Sequence, residues 1–209
     1  MIKFLILYLN LFLFSNAFKV CVVGGSSGLG KELIFQSINE RNNNVLALTS
    51  EAKPITVPCR QNSFNEIKNQ EEYNHPNLTK ANYWEDISNF NYENIIFTTS
   101  AKPFEDDYSD KLMEKVLENI SEDCKSITLV SAFGVSDSLK KGNLGISIMN
   151  SWYLKDVYRA KNKQEELLNR YKNNIKKYIL RPKALSYGDT QLESLSRRQL
   201  ATNILDKIN

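Results

Sequence analysis

Seven residues carry the densest chemical signal in the chain: Gly24-Gly25-Ser26-Ser27-Gly28-Leu29-Gly30. They follow an apolar run at 18–23 and open a segment with helical spacing, in which Leu33, Ile34 and Ile38 share a face. A loop in that position presents the free N–H groups and partial positive charge of a helix N-terminus to an anion. The glycines suit that task at three points. Gly24 permits a tight turn, Gly28 lets backbone approach a pyrophosphate, and Gly30 lets the helix pack close to the strand. The backbone of Gly28, Leu29 and Gly30 then faces the phosphates, and Ser26 and Ser27 add hydroxyl donors. A glycine pattern flanked by a strand and a helix in this order points to a dinucleotide.

The rest of the chain supplies the elements such a loop needs. Short apolar runs at 18–23, 45–48, 94–98, 126–131 and 177–181 read as buried strands. Segments 31–39, 108–119, 151–171 and 196–208 have helical spacing, and 41–44 is a turn. Residues 51–91 are rich in Asn, Glu and Gln; a weak third strand is expected near 55–57 or near 81–84. Continuous apolar strands alternating with amphipathic helices predict a parallel sheet covered on both faces. Right-handed crossovers then give a single doubly wound, Rossmann-type α/β domain.

Composition narrows the chemistry. The chain has 209 residues, and Lys plus Arg number 27 against 24 Asp plus Glu, for a net charge of +3. That balance, with the signs interspersed, gives no argument for nucleic acid as a partner. Three Cys (Cys21, Cys59, Cys124) show no metal-ligand spacing and no disulfide framework. The single His75 sits in the least patterned stretch and makes a Ser-His-Asp arrangement a poor expectation.

Residues 1–17 (MIKFLILYLNLFLFSNA) read as a signal peptide: Lys3, an apolar run too short to span a bilayer, then the small residues Ser15 and Ala17 at cleavage positions. Cleavage leaves a domain at 18–209 with no membrane span. The expected destination is the secretory route. Phe18 after the cut resembles the bipartite plastid-targeting sequences of algae with secondary plastids, although Lys19-Val20-Cys21 already begin a strand. An odd Cys count fits a reducing compartment.

Gly24 to Gly30 resembles the glycine motif of the short-chain dehydrogenase/reductase superfamily, and four further segments resemble its atypical, NmrA-like branch. These are Leu129-Val130-Ser131-Ala132-Phe133-Gly134-Val135 after the fifth strand, Tyr158-Arg159-Ala160-Lys161 in the long helix, Tyr178-Ile179-Leu180-Arg181-Pro182, and Arg198-Gln199-Leu200-Ala201 in the last helix. The resemblance implies a Rossmann-fold protein that binds NADP or NAD. The end of the second strand reads Thr49-Ser50 and then Glu51. No Asp stands there to hold the ribose hydroxyls, as NAD favours, and no Arg to hold a 2′-phosphate. The double-Ser loop and the missing Asp tip the expectation to NADP, with Lys31 or Lys53 as sources of charge. Thr99, Ser100 and Ala101, after the fourth strand, are expected on the adenine-ribose side.

The resemblance also implies a catalytic set of Ser131, Tyr158 and Lys161. In Tyr-dependent relatives a Lys four residues after the Tyr lowers its pKa and holds the nicotinamide ribose, while a Ser polarises the carbonyl. Here Tyr158 is three residues before Lys161. That leaves roughly 60° between the side chains, on the opposite side from the roughly 40° of a four-residue gap. Tyr153, two turns away, is too distant to substitute. The alternatives are a packed aromatic for Tyr158, a helix Lys paired with Glu165 for Lys161, a strand-terminal hydroxyl for Ser131, and a structural ion pair for Arg181. Two functions follow as expectations. One is a reductase of a small carbonyl or an activated double bond. The other is a non-catalytic dinucleotide-binding redox sensor or assembly factor, which the offset Tyr and the short C-terminal segment favour. The substrate or protein partner is not legible.

Overall fold

Six strands form one sheet, and its four central strands are buried on both faces. The computed structural model describes residues 18–50, 54–58, 71–83, 87–99, 108–135, 154–172, 174–182, 185–186 and 195–208. The elements run β1 (Phe18–Val23), α1 (Gly28–Asn39), β2 (Val45–Thr49), β3 (Leu78–Asn82), a 3-10 turn (Ile87–Asn89), β4 (Tyr92–Phe97), α2 (Ser109–Glu118), β5 (Ser126–Val130), α3 (Lys155–Arg170), β6 (Lys176–Leu180), β7 (Leu185–Ser186), β8 (Leu195–Ser196) and α4 (Arg197–Ile208). The large sheet has the order β3-β2-β1-β4-β5-β6, and each of its neighbouring pairs is parallel.

Alternation along β1 divides the core. Val20 and Val22 face α1 and α4, packing on Leu33, Ile34, Leu200 and Ile204. Cys21 and Val23 face the other way, into a cluster with Leu112, Met113, Val116 and Leu168 of α2 and α3. Burial on both faces is why the central strands read as unbroken hydrophobic runs. Two polar residues inside this sheet are matched: the Ser126 hydroxyl lies 2.6 Å from Asn94 Oδ1, and Asn94 Nδ2 donates to the Lys19 carbonyl at 3.1 Å.

The predicted doubly wound sheet is the observed one, with local differences. The third strand lies at Leu78–Asn82, overlapping only the second of its two expected places. It is an edge strand whose side chains are mostly half-exposed, so it never needed the apolar run by which strands are recognised. At the other place, Thr56 makes a single antiparallel bridge to Glu72. Helix α1 begins at Gly28 rather than at residue 31, because the glycine motif itself forms the first turn. The described part of the long helix begins at Lys155 instead of 151, and residues 151–153 lie outside the described residues. So do the proposed signal segment 1–17, and Ser100, Ala101, Lys53, Glu51, Cys59 and Tyr153. Among the described residues no helix is long and apolar enough to cross a membrane.

Candidate dinucleotide site

The chain runs outward from β1 to β2 and β3, then returns to lay β4 against the other side of β1. Sheets of this type open a crevice at such a reversal, beyond the C-terminal ends of the strands. The glycine loop occupies it.

Gly24 has φ +94, a backbone conformation that side-chain-bearing residues rarely adopt. A Cβ there would also stand 2.6 Å from Thr98 Oγ1. At Gly30, a Cβ would press into the Gly24 carbonyl oxygen. The first turn of α1 therefore packs directly on the loop, as the motif predicts. Ser27 caps α1, its hydroxyl accepting from Gly30 N–H at 2.9 Å. Thr98, at the end of β4, completes the brace. Its hydroxyl lies 3.0 Å from the carbonyls of both Val23 and Gly24, and 2.9 Å from Ser27 Oγ. Two carbonyls can only accept, so Thr98 donates to one of them and Ser27 donates to Thr98. The Ser27 hydroxyl, expected as a phosphate donor, is engaged inside the loop with Gly30 N–H and Thr98 Oγ1. Ser26 lies half-buried at the loop surface. Thr49, at the end of β2, has its methyl group 3.3 Å from the place a Gly25 Cβ would take, and Ser50 follows it, half-buried. Lys31 Nζ donates to Thr56 Oγ1 at 2.6 Å, which directs it toward the 54–58 segment.

The ends of β4 and β5 are joined by a buried polar network. Lys161 is only 3% exposed. Its ammonium donates to the carbonyls of Thr99 and Val130, the latter at 2.8 Å, and to Gln164 Oε1 at 3.1 Å. Gln164, fully buried, passes its own N–H groups to the Ser109 carbonyl at 3.2 Å and to Thr99 Oγ1 at 3.5 Å. One lysine thus ties α3 to two strand ends, and Gln164 extends the tie to the start of α2. Glu165, one turn on, forms a two-pronged ion pair with Arg181, at 2.8 and 2.7 Å, which matches the carboxylate partner expected for that arginine.

Ser131 stands at the end of β5, 5% exposed, and its backbone N–H donates to the Leu180 carbonyl at 2.8 Å. Its hydroxyl is buried and has no hydrogen-bond partner among the described residues. Tyr158 has a different neighbourhood from Lys161. Its hydroxyl donates to the Phe133 carbonyl at 3.0 Å, and burial pushes the phenol above its usual pKa. It lines a cleft of about 510 Å³ with Gly134, Lys155, Arg159, Asn162 and Glu166. Thr98 and Gln164 were not singled out from sequence. The signal for Gln164 was its place with Lys161, Glu165 and Leu168 on one inward helical stripe, hidden because three of the four are polar.

No group of His, Cys, Asp and Glu among the described residues could hold a metal ion. Buried Cys21 and Cys124 are free thiols whose pKa burial raises, the latter to about 11.

No family model and no curated protein matches the chain. Solved structures do. ChuY, an anaerobilin reductase from Escherichia coli O157:H7, is 16% identical over 91% of this chain and 90% of its own, with a TM-score of 0.59. A short-chain dehydrogenase/reductase from Veillonella parvula in complex with NADP is 12% identical over 90% and 86%, at 0.63. Bordetella bronchiseptica WbmH in complex with NAD+ is 12% identical over 92% and 72%, at 0.61. The chain shares its doubly wound, Rossmann-type α/β fold with these proteins.

Proposed function

We propose that this chain is an NAD(P)H-dependent reductase of the atypical short-chain type, acting on a small carbonyl or an activated double bond. The observation that carries the reading is the glycine loop. Its positive-φ Gly24, its close-packed Gly30 and its capped helix stand together at the reversal of strand order. The structural neighbours named as reductases, and those holding NADP or NAD+, support it.

In this reading the backbone of Gly24, Ser26, Gly28, Leu29 and Gly30 holds the pyrophosphate. Thr49 and Ser50 meet the adenine ribose, with a lean to NADP because hydroxyls rather than an Asp end β2. Thr99, with Ser100 and Ala101, lines the adenine-ribose side. The dinucleotide supplies the hydride when bound. Ser131, whose hydroxyl has no hydrogen-bond partner among the described residues, polarises the acceptor carbonyl, and the alkoxide left by hydride transfer takes its proton from water. Lys161 is a positioning residue: its ammonium fixes the strand ends that bear Thr99 and Ser131, in place of the ribose contact the family pattern suggests. Tyr158 packs and lines the cleft; a phenol with raised pKa and a carbonyl acceptor is not an activated proton donor. We further propose that residues 1–17 direct the chain into the secretory route, a plastid being one destination.

The test is consumption of NADPH and NADH with aldehydes, ketones, quinones and enones as acceptors. Turnover is expected with at least one class. It should fall by about 10-fold or more in Ser131→Ala, and stay unchanged in Tyr158→Phe. Tight cofactor binding with no turnover on any class would favour the non-catalytic sensor instead.

A further inference from the structure

The space over Gly28 is filled by a side chain from the far end of the sequence. A Cβ placed on Gly28 would lie 2.8 Å from Nε, 3.1 Å from Cδ and 3.4 Å from Cζ of Arg197. The guanidinium of the first residue of α4 therefore lies on the first residue of α1. The other two motif glycines meet something different. Gly24 and Gly30 are hemmed in by Thr98, Thr99 and the loop's own backbone, which cannot yield. Only over Gly28 is the neighbour the end of a long, rotatable side chain.

The backbone that carries Arg197 is held firmly to α1. Gln36 Nε2 donates to the Arg198 carbonyl at 3.0 Å, Thr202 Oγ1 donates to Gln36 Oε1 at 3.0 Å, and Arg41 pairs with Asp206 at 2.5 Å. The Ser196 hydroxyl accepts from Gln199 N–H at 3.0 Å and fixes the first turn of α4. These contacts keep the Arg197 Cα within reach of the loop.

We propose that Arg197 is a phosphate-binding residue of the dinucleotide site, its guanidinium held over Gly28 where it can clasp the pyrophosphate of the dinucleotide. This rests on the reading of the glycine loop as a dinucleotide site. A guanidinium suits the task because its planar fork donates two parallel hydrogen bonds to phosphate oxygens. The loop alone offers only neutral donors, its N–H groups and the Ser26 hydroxyl, with Ser27 engaged in the helix cap. The site would then draw its one formal positive charge at the pyrophosphate from α4, an element the glycine motif does not contain.

The test uses the full chain, with ADP-ribose and 2′-phospho-ADP-ribose as ligands, titrated by calorimetry against wild type, Arg197→Gln and Arg197→Lys. Thermal melts verify that the variants fold. Arg197→Gln is expected to weaken both ligands equally, by about 10-fold or more, and Arg197→Lys to recover part of the loss. Unchanged or tighter binding by a folded Arg197→Gln would overturn the proposal and make Arg197 a mere cover. A loss confined to 2′-phospho-ADP-ribose would overturn the pyrophosphate placement. If wild type binds neither ligand, the dinucleotide reading itself fails, and this inference with it.

Discussion

Ser131 buries a hydroxyl that no hydrogen bond among the described residues satisfies, and such a group costs about 1–3 kcal/mol. Folding therefore gains nothing from it, which is what sets it apart from Ser27, Thr98 and Ser126, whose hydroxyls all bond within the protein. Ser131→Ala should melt at or above the wild-type temperature in a thermal scan while lowering turnover. A lower melting temperature would mean that the hydroxyl serves the fold. Residue identity was the part of the site that sequence conveyed best at the loop and worst at α3. The roles of Gly24 and Gly30 follow from backbone sterics, which depend on local sequence. The role of Lys161 depends on which strand ends α3 crosses, which no spacing along the helix reveals.

Helix α3 is held against the sheet by polar contacts on its inner face as well as by packing. Glu165 is 1% exposed and its carboxylate meets the Arg181 guanidinium at two points. Removing it leaves a charge beside β6 without that partner, so Glu165→Ala should lower unfolding stability by about 1.5–3 kcal/mol. Urea denaturation measures this. A change under about 0.5 kcal/mol would place the pair among ordinary surface ion pairs. On the sheet, Glu93 of β4 receives Lys19 of β1 at 2.8 Å and Lys125 at 2.9 Å. Hydrogen bonds from Lys19 and then Lys125 hold its carboxyl below its usual pKa. A lowered folded-state pKa contributes stability above the unfolded value of about 4.3, and the contribution disappears as pH falls through the lowered one. The stability difference between wild type and Glu93→Gln should thus be constant near neutrality and shrink on acidification. A difference that grows in acid would contradict the assignment. The same scale shows why strands were unequally legible. β1, β2, β4 and β5 are buried on both faces and announce themselves, whereas β3 is an edge whose Leu-Thr-Lys-Ala-Asn reads like a loop.

Across the whole molecule, one sheet edge gathers the glycine loop, Thr49, Thr98, Thr99 and Ser131, because parallel strands end on the same side. That convergence was expected from the alternation of apolar runs and helices. The return of α4 to Gly28 was not, since it depends on how the last helix packs on the first. The central claim is that this edge binds a nicotinamide dinucleotide, and equilibrium titration of the chain with NADPH and NADH, followed by nicotinamide fluorescence, tests it most directly. Saturable binding is predicted, tighter for NADPH, and it should be lost in Gly30→Ala, where the added methyl drives the first turn of α1 off the loop. No saturation by either nucleotide up to about 1 mM, the weak end of specific binding, would contradict the account.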